Sequence, residues 1–248
     1  MVRCYRADLH VHTCLSPCAD LTMSPKRIVE TGMKKKLDII AVCDHNSAEN
    51  VQATLKASRD TQLTVLAGME VTSVEEAHII GLFSTYDAVH ALQDLVYQSL
   101  TSGENDESLF GEQIVANEFD EIEGYNRRLL IGATNLSVGK IVDAIHQLKG
   151  LAIASHVDRE AYSIIGQLGF VPGDLELDAL EISASLPVSE ARTQFPEIQK
   201  YALITSSDAH FPDDIGKVFT QFMIEKPTLE EIGKALKGAE GRSVVSRA

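Results

Sequence analysis

The chain has 248 residues with 22 lysines and arginines against 36 aspartates and glutamates, a formal charge of −14, and 44% hydrophobic residues. That composition is globular and the length suffices to bury a core without disulfide or metal staples. The acidic balance disfavours long nucleic acids and anionic membranes as surface-bound partners, since phosphate surfaces need lysine and arginine patches, but it leaves room for a phosphate held by metal ions in a pocket.

The N-terminal "MVRCYRADL" lacks the apolar core of a secretion signal, and no apolar run approaches the roughly 20 residues that span a bilayer. A cytoplasmic protein with reduced cysteines is expected. The first predicted strand, 5–11, carries His10 and leads to His12; residues two apart on a strand share a face, so the two imidazoles can close on one ion, or simply pack together. Cys14 and Cys18 follow as C-x-x-x-C. No second cysteine pair completes a zinc site, so filler in a crowded loop is the reading preferred over a functional thiol. Ser24 and Pro25 start a helix over 24–36. A strand over 37–44 ends in Asp44 and His45, a helix covers 47–59, and a strand over 64–71 carries Glu70. His78 opens the strand 78–83; if the chain turns sharply at "SVEEA", His78 returns to the height of Glu70. A helix over 87–100 precedes an acidic stretch, 104–123, with eight acidic and no basic residues. It is read as a solvated insertion, helical or mobile, with a lid as the alternative, inside a departure spanning 86–135. The rhythm resumes with a helix over 137–149, a strand 150–156 ending in His156, a strand 178–183 and a helix 187–200. A strand over 201–208 ends in Asp208 with His210 beyond it. The last elements are a strand over 217–225 and a helix over 228–238, capped by Thr228 and stopped near Gly238.

Repeated strand–helix units imply a parallel sheet, open or closed into a barrel, in a single domain over 1–248. Six of the eight histidines stand at strand ends near carboxylates; His90 and His146 sit mid-helix. Strands that finish in His, Asp or Glu are what a site at the C-terminal mouth of a parallel sheet looks like in sequence. Imidazole with carboxylate and no matching thiolates suits Zn, Mn or Fe better than Ca or Mg. Nine candidate ligands are too many for one ion and fit two or three divalent ions, which would make water nucleophilic near neutral pH.

With H-x-H at 10–12, D-H at 44–45, Glu70, His78, His156 and D-x-H at 208–210 in this order, the chain resembles the polymerase and histidinol phosphatase (PHP) superfamily, among it the stand-alone metal-dependent phosphoesterases. The resemblance implies a distorted (β/α)7 barrel with a trinuclear centre. His10, His12, Glu70 and Asp208 would hold one ion. Glu70 would bridge to a second, completed by His78 and His156. Asp20, His45 and His210 would hold a third, Asp20 being placed by its five-residue interval to Pro25 although the loop before it is two residues longer than the family's pattern. Arg159, in "SHVDR", is the candidate clamp for a substrate phosphate, or else a surface partner of Asp158 or Glu160. Asp44 is expected to orient a ligand histidine or to carry a proton. The function expected is hydrolysis of a phosphomonoester of a small metabolite, nucleotide or short oligonucleotide by metal-activated hydroxide. An amidohydrolase-type hydrolase and a non-catalytic metal-binding module are the alternatives.

Overall fold

The computed structural model describes residues 1–245; the last three residues of the expected 1–248 domain lie outside them. The chain runs β1 (Arg3–Val11), α1 (Pro25–Lys34), β2 (Ile39–Val42), α2 (Val51–Ala57), β3 (Thr64–Thr72), β4 (His78–Phe83), α3 (Tyr86–Ser99), α4 (Glu107–Phe110), β5 (Ile114–Ala116) and β6 (Ile122–Tyr125). It continues with α5 (Val138–Gln147), β7 (Leu151–Ala154), α6 (Ile164–Leu168), β8 (Ala179–Ile182), α7 (Val188–Gln194), β9 (Leu203–Thr205), β10 (Thr220–Ile224), α8 (Leu229–Leu236) and β11 (Ser243–Val245). All eight expected strands form.

Nine strands make one sheet in the order β11-β10-β1-β2-β3-β4-β7-β8-β9. The stretch from β1 to β9 curls round until the chain after β9 meets the end of β1: Val11 and Ala209 form a parallel bridge, and His12 N donates to Ala209 O at 3.0 Å. The result is a nearly closed, distorted (β/α) barrel, with β10 and β11 extending the sheet past β1. β1, β2 and β3 are mutually parallel, as are β7, β8 and β9. β4 runs against both of its neighbours. The tight β3–β4 connection pairs Thr72 with His78, so the first residue of β4 lies at the end of the barrel where its neighbours finish.

Alternation along the strands sorts the core into two layers. Ile39, Ala41, Leu66, Ile80, Ile153, Ala179 and Ile204 fill the barrel with the apolar face of α8 packed against them. Their neighbours Ile40, Val65, Ala67, Ile79, Ala152 and Leu180 face outward beneath the helices. α3 belongs to that outer layer, burying Val89, Leu92 and Val96 completely, so the departure from barrel rhythm begins only after it. The acidic stretch is neither a long helix nor a loose loop: it contains α4 and the antiparallel β5–β6 hairpin. Hydrogen bonds from Asn50 Nδ2 to Ile114 O (3.0 Å) and from Ala116 N to Asn50 Oδ1 (2.9 Å) tie the hairpin to α2. The helix expected over 187–200 ends at Gln194, and Pro196 opens a 3-10 turn instead, because proline clashes with the preceding helical turn. Thr228 caps α8 as expected, accepting from Glu231 N.

β2 and β3 approach closely at Gly68, where a Cβ would stand 2.7 Å from Cys43 Sγ and 2.8 Å from Val42 O. Gly68→Ala is expected to lower stability by about 1–3 kcal/mol through overpacking, read as a shift in the urea midpoint. An unchanged midpoint would mean that the two strands separate freely there.

Candidate metal centre

At the barrel mouth the inward-facing positions change from apolar to ligating. On β3, Leu66 and Gly68 point inward and Glu70 follows at the same parity. On β4 the inward set is Leu82, Ile80 and His78, which rises to meet Glu70 because the strand is antiparallel. His45 continues the inward parity of Ile39, Ala41 and Cys43 and is paired in register with Glu70. A register irregularity between Asp8 and Val11 lets Leu9 and then His10 and His12 all face the interior, since a bulge adds a residue and re-aims those after it. His156 and Asp208 lie beyond the ends of β7 and β9 with φ of 28° and 50°, a left-handed conformation that non-glycine residues adopt at a cost and that clusters at functional sites.

Glu70, 1% exposed, is the hub. Its oxygens lie 3.0 Å from His45 Nδ1, 3.1 Å from His78 Nδ1, 3.3 Å from His10 Nε2, 3.4 Å from His156 Nε2 and 3.6 Å from His12 Nε2. Asp208 Oδ1 lies 3.3 Å from His10 Nε2 and 3.2 Å from His12 Nε2. Three overlapping sets have donor atoms mutually within 4.8 Å: His10, His12 and Asp208; His45, Glu70 and His78; and His12, His45 and His210. Burial alone would raise the Glu70 carboxyl, but His78, His10 and His45 hold it well below the ordinary carboxylate range. Burial likewise opposes ionisation of Asp208, and His10 and His12 overcome it to hold that carboxyl far down.

The outer partners of the histidines decide which nitrogen faces the centre. His10 Nδ1 donates to Glu181 Oε1 at 3.0 Å. Ser16 Oγ donates its one proton to Asp44 Oδ1 (2.7 Å) and therefore accepts from His12 Nδ1 (2.9 Å). His210 Nδ1 donates to Asp208 O (2.8 Å). In all three rings the Nε2 lone pair is thus turned inward. His10 Nε2 and His12 Nε2 then stand 3.0 Å apart, a repulsive contact between two lone pairs unless a cation lies between them. His45 Nδ1, His78 Nδ1, His156 Nδ1 and Glu70 Oε1 are buried without a hydrogen-bond partner, although buried polar atoms are nearly always satisfied. This donor set fits divalent ions, and its clustering is consistent with more than one.

The other sequence-derived candidates are placed differently. Asp20 is outside the three donor sets: its Oδ1 accepts from Thr22 N (2.9 Å) and Thr22 Oγ1 (2.5 Å), closing its own turn as Asx residues do, while its backbone N donates to His210 O at 2.8 Å. Asp44 faces outward, opposite to His45, and is fully buried; it accepts from Thr13 N, Thr13 Oγ1 and Ser16 Oγ, each at 2.7 Å. It reaches His12 through Ser16 and is not among the residues lining the cavity. Arg159 pairs neither with Asp158 nor with Glu160; its Nη1 donates to Asp208 Oδ2 at 2.7 Å. Sequence reasoning missed Glu181, whose carboxylate also accepts from His156 N at 3.4 Å. A glutamate inside the apolar run "DALEIS", in phase with the inward Ala179, was the available signal. Asp8 was missed as well: it accepts from Ser207 N, Ser207 Oγ and Gly216 N, pinning the loop that carries Asp208, and burial pushes its carboxyl up to about 6.

A cavity of about 310 Å³ opens onto this cluster, with Ile131, Arg159, Tyr162 and Cys18 on its walls beside the histidines. Tyr162 stacks on His78, ring centroids 4.8 Å apart. From the segment 86–135, Ile131 is the residue on that wall. Cys14 is buried, whereas Cys18 is exposed. Desolvation would raise the Cys18 thiol, but the neighbouring imidazoles of His210 and His45 bring it down to about 6.

A PHP domain matches residues 8–171, and a PHP-associated segment matches 191–240. The chain belongs to the PHP family. An uncharacterised protein of Methanocaldococcus jannaschii is 31% identical over 90 residues, covering 33% of the chain and 52% of that protein. A 5′-3′ exoribonuclease of Haemophilus influenzae is 26% identical over 95 residues, covering 37% and 33% respectively. The chain thus spans about half of the first relative and a third of the second. The lesion-specific endonuclease of Pyrococcus furiosus superposes with a TM-score of 0.72 at 20% identity, over 98% of this chain and 58% of the endonuclease, a likeness of fold. Among the described residues no helix is long and apolar enough to cross a membrane.

Removing Asp44 strands three buried donors in this PHP domain. Asp44→Ala is expected to cost on the order of 3 kcal/mol, measured by urea unfolding of the metal-stripped protein. A loss below that of an ordinary surface substitution would show that Thr13 and Ser16 find other acceptors.

Proposed function

We propose that this PHP protein is a metal-dependent phosphoesterase that hydrolyses a phosphomonoester of a small metabolite, a nucleotide or an oligonucleotide end. The observation that carries this reading is the convergence of inward-turned, unpartnered imidazole nitrogens and two carboxylates held ionised at one cavity. His10, His12, Glu70 and Asp208 would hold one ion, and Glu70 with His78 and His156 a second; zinc, manganese and iron suit these donors. Bound divalent ions would supply Lewis-acid charge stabilisation and a water acidic enough to attack near neutral pH.

The protein's own residues do the rest. Glu181, and Asp44 through Ser16, keep His10 and His12 in the tautomer that offers Nε2. Arg159 carries its planar fork on the cavity wall, where it matches two oxygens of a phosphate. The apolar barrel core beneath the mouth leaves substrate one way in. A volume near the small end of ligand cavities admits a phosphorylated head group or a chain terminus and excludes the interior of a folded duplex. The nuclease names among the similar proteins favour including a nucleic-acid end in the proposed substrate class, with the acidic surface arguing against tight binding along a long polymer, not against its terminus. The carbonyl-hydrolase alternative is less well supported, because among the described residues no lysine lines the cavity.

Phosphate release from nucleoside monophosphates, sugar phosphates and 5′-phosphorylated oligonucleotides by zinc- or manganese-loaded protein tests the reading. Turnover of at least one class is expected, and His10→Ala should abolish it. A fully metallated protein inert on every phosphoester, or an active His10→Ala variant, would remove this reading. Glu181→Ala is expected to weaken zinc binding about 10–100-fold, measured by competition with a chromogenic chelator. Unchanged affinity would mean that His10 is oriented by other contacts.

A further inference from the structure

Ile131, Ala161 and Tyr162 line the cavity but take no part in the proposed ion and phosphate sites. Tyr162 sits three residues after Arg159 on the turn that begins at His156, and its φ is 57°. For a bulky side chain that conformation is a genuine outlier, of the kind that clusters at functional sites. Hydrogen bonds around the turn impose it: His78 N donates to Tyr162 O at 3.0 Å and Arg159 N to His156 O at 2.9 Å, while Ser163 Oγ donates to Arg159 O. The turn thereby sets the tyrosine ring on His78, with centroids 4.8 Å apart and planes inclined by 25°. That imidazole covers one face, yet the residue stays 44% exposed, so the other face and the ring edge are open at the cavity. A ring held in place in advance costs little entropy when a ligand settles on it.

We infer that Tyr162 is a specificity-determining residue of this site: its open face stacks on a planar aromatic ring of the substrate. The phosphomonoester it selects is then a ring-bearing one, a nucleotide or the terminal nucleotide of an oligonucleotide, and not a sugar or polyol phosphate. The inference rests on the phosphoesterase reading and deepens it. One turn supplies both contacts, Arg159 for the phosphate oxygens and Tyr162 for the ring. Every nucleobase has a π-face, so such stacking adds affinity without choosing among bases. The neighbouring wall favours the same class. Hydroxyls of a polyol set against Ile131, Ala161 and the tyrosine face would give up water without gaining partners, whereas an aromatic face forfeits no hydrogen bond there.

Steady-state hydrolysis of adenosine 5′-monophosphate and of ribose 5-phosphate by the metal-loaded full chain tests this, because the two esters differ only in the base. The nucleotide is expected to have a KM about 10–100-fold lower. Tyr162→Phe should keep that ratio, since the ring is what stacks. Tyr162→Gly removes the ring while glycine adopts a φ of 57° without strain, and it should bring the two KM values together with the ratio of the kcat values unaltered. Equal KM values in the natural protein overturn the inference. So does a Tyr162→Gly variant that slows both esters alike with their KM ratio intact, since the ring then serves only to support His78. Loss of the preference in Tyr162→Phe would assign it to the hydroxyl and overturn stacking as well. Binding of the same two molecules to the metal-stripped chain, followed by ligand-observed NMR, gives a readout independent of turnover. A preference for the nucleotide that Tyr162→Gly abolishes keeps the ring site even if no phosphoester is hydrolysed and the phosphoesterase reading falls; a natural chain without that preference overturns the ring site whatever it hydrolyses.

Discussion

One carboxylate, Glu70, is withdrawn from water at the centre of the barrel mouth and surrounded by five imidazoles. Removing such a charge from solvent costs several kcal/mol, and no lysine or arginine reaches it among its ion-pair contacts. Neutral imidazoles turned toward it with lone pairs would repel it. The arrangement becomes favourable when positive charge, as protons or as metal ions, sits between oxygen and nitrogen, and the unpartnered state of Glu70 Oε1, His45 Nδ1 and His78 Nδ1 is the same requirement seen atom by atom. Much else in the fold serves this constraint: strand parity brings the donors inward, Glu181 and Ser16 turn the rings, and Asp8 anchors the loop bearing Asp208.

The reversed strand is the distinctive architectural device. In an all-parallel barrel each strand delivers one end to the mouth and needs a crossover before the next. β4 instead returns directly from β3 through a short turn, so Glu70 and His78 come from adjacent antiparallel strands and face each other at 3.1 Å. The same reversal starts α3 from the far end of the barrel, and the segment beyond it returns to the mouth, where Asn46 Nδ2 donates to Leu130 O and Gly132 O and Ile131 joins the cavity wall, before α5 leads down to β7.

Period and strand ends made most of this legible in the sequence. His10, His12, Glu70, His156 and Asp208 end apolar runs, and for His45 and His78 the pairing with Glu70 follows from register. Parity carried further information about two residues. Asp44 precedes an inward His45 and so has to point outward, toward Thr13, and Glu181 shares the inward phase of Ala179. The loop after β1 was illegible for a different reason. The family's interval to Pro25 singles out Asp20, but the loop is two residues longer than that pattern, and Asp20 Oδ1 accepts from Thr22 N and Thr22 Oγ1 while the residue stays off the cavity wall. The hairpin in the acidic stretch was hidden because its strands are three and four residues long, too short for alternation to rise above charge.

Asp208 links the proposed centre to the proposed phosphate clamp. Its Oδ1 faces His10 and His12 while Oδ2 holds Arg159 at 2.7 Å, so a single carboxylate sets the distance between the ligand cluster and the guanidinium. Arg159 is 43% exposed at its side chain, and an exposed arginine ordinarily samples many rotamers at little cost. Tethered to Asp208 it is confined to the cavity wall, with the remaining donors of its fork open to an incoming anion. A chain of net charge −14 would repel a phosphate along most of its surface, and the field changes sign only where cationic groups outnumber carboxylates. Under the proposed function that place is this mouth, and selectivity for a compact phosphorylated end follows from confining the attraction to one cavity.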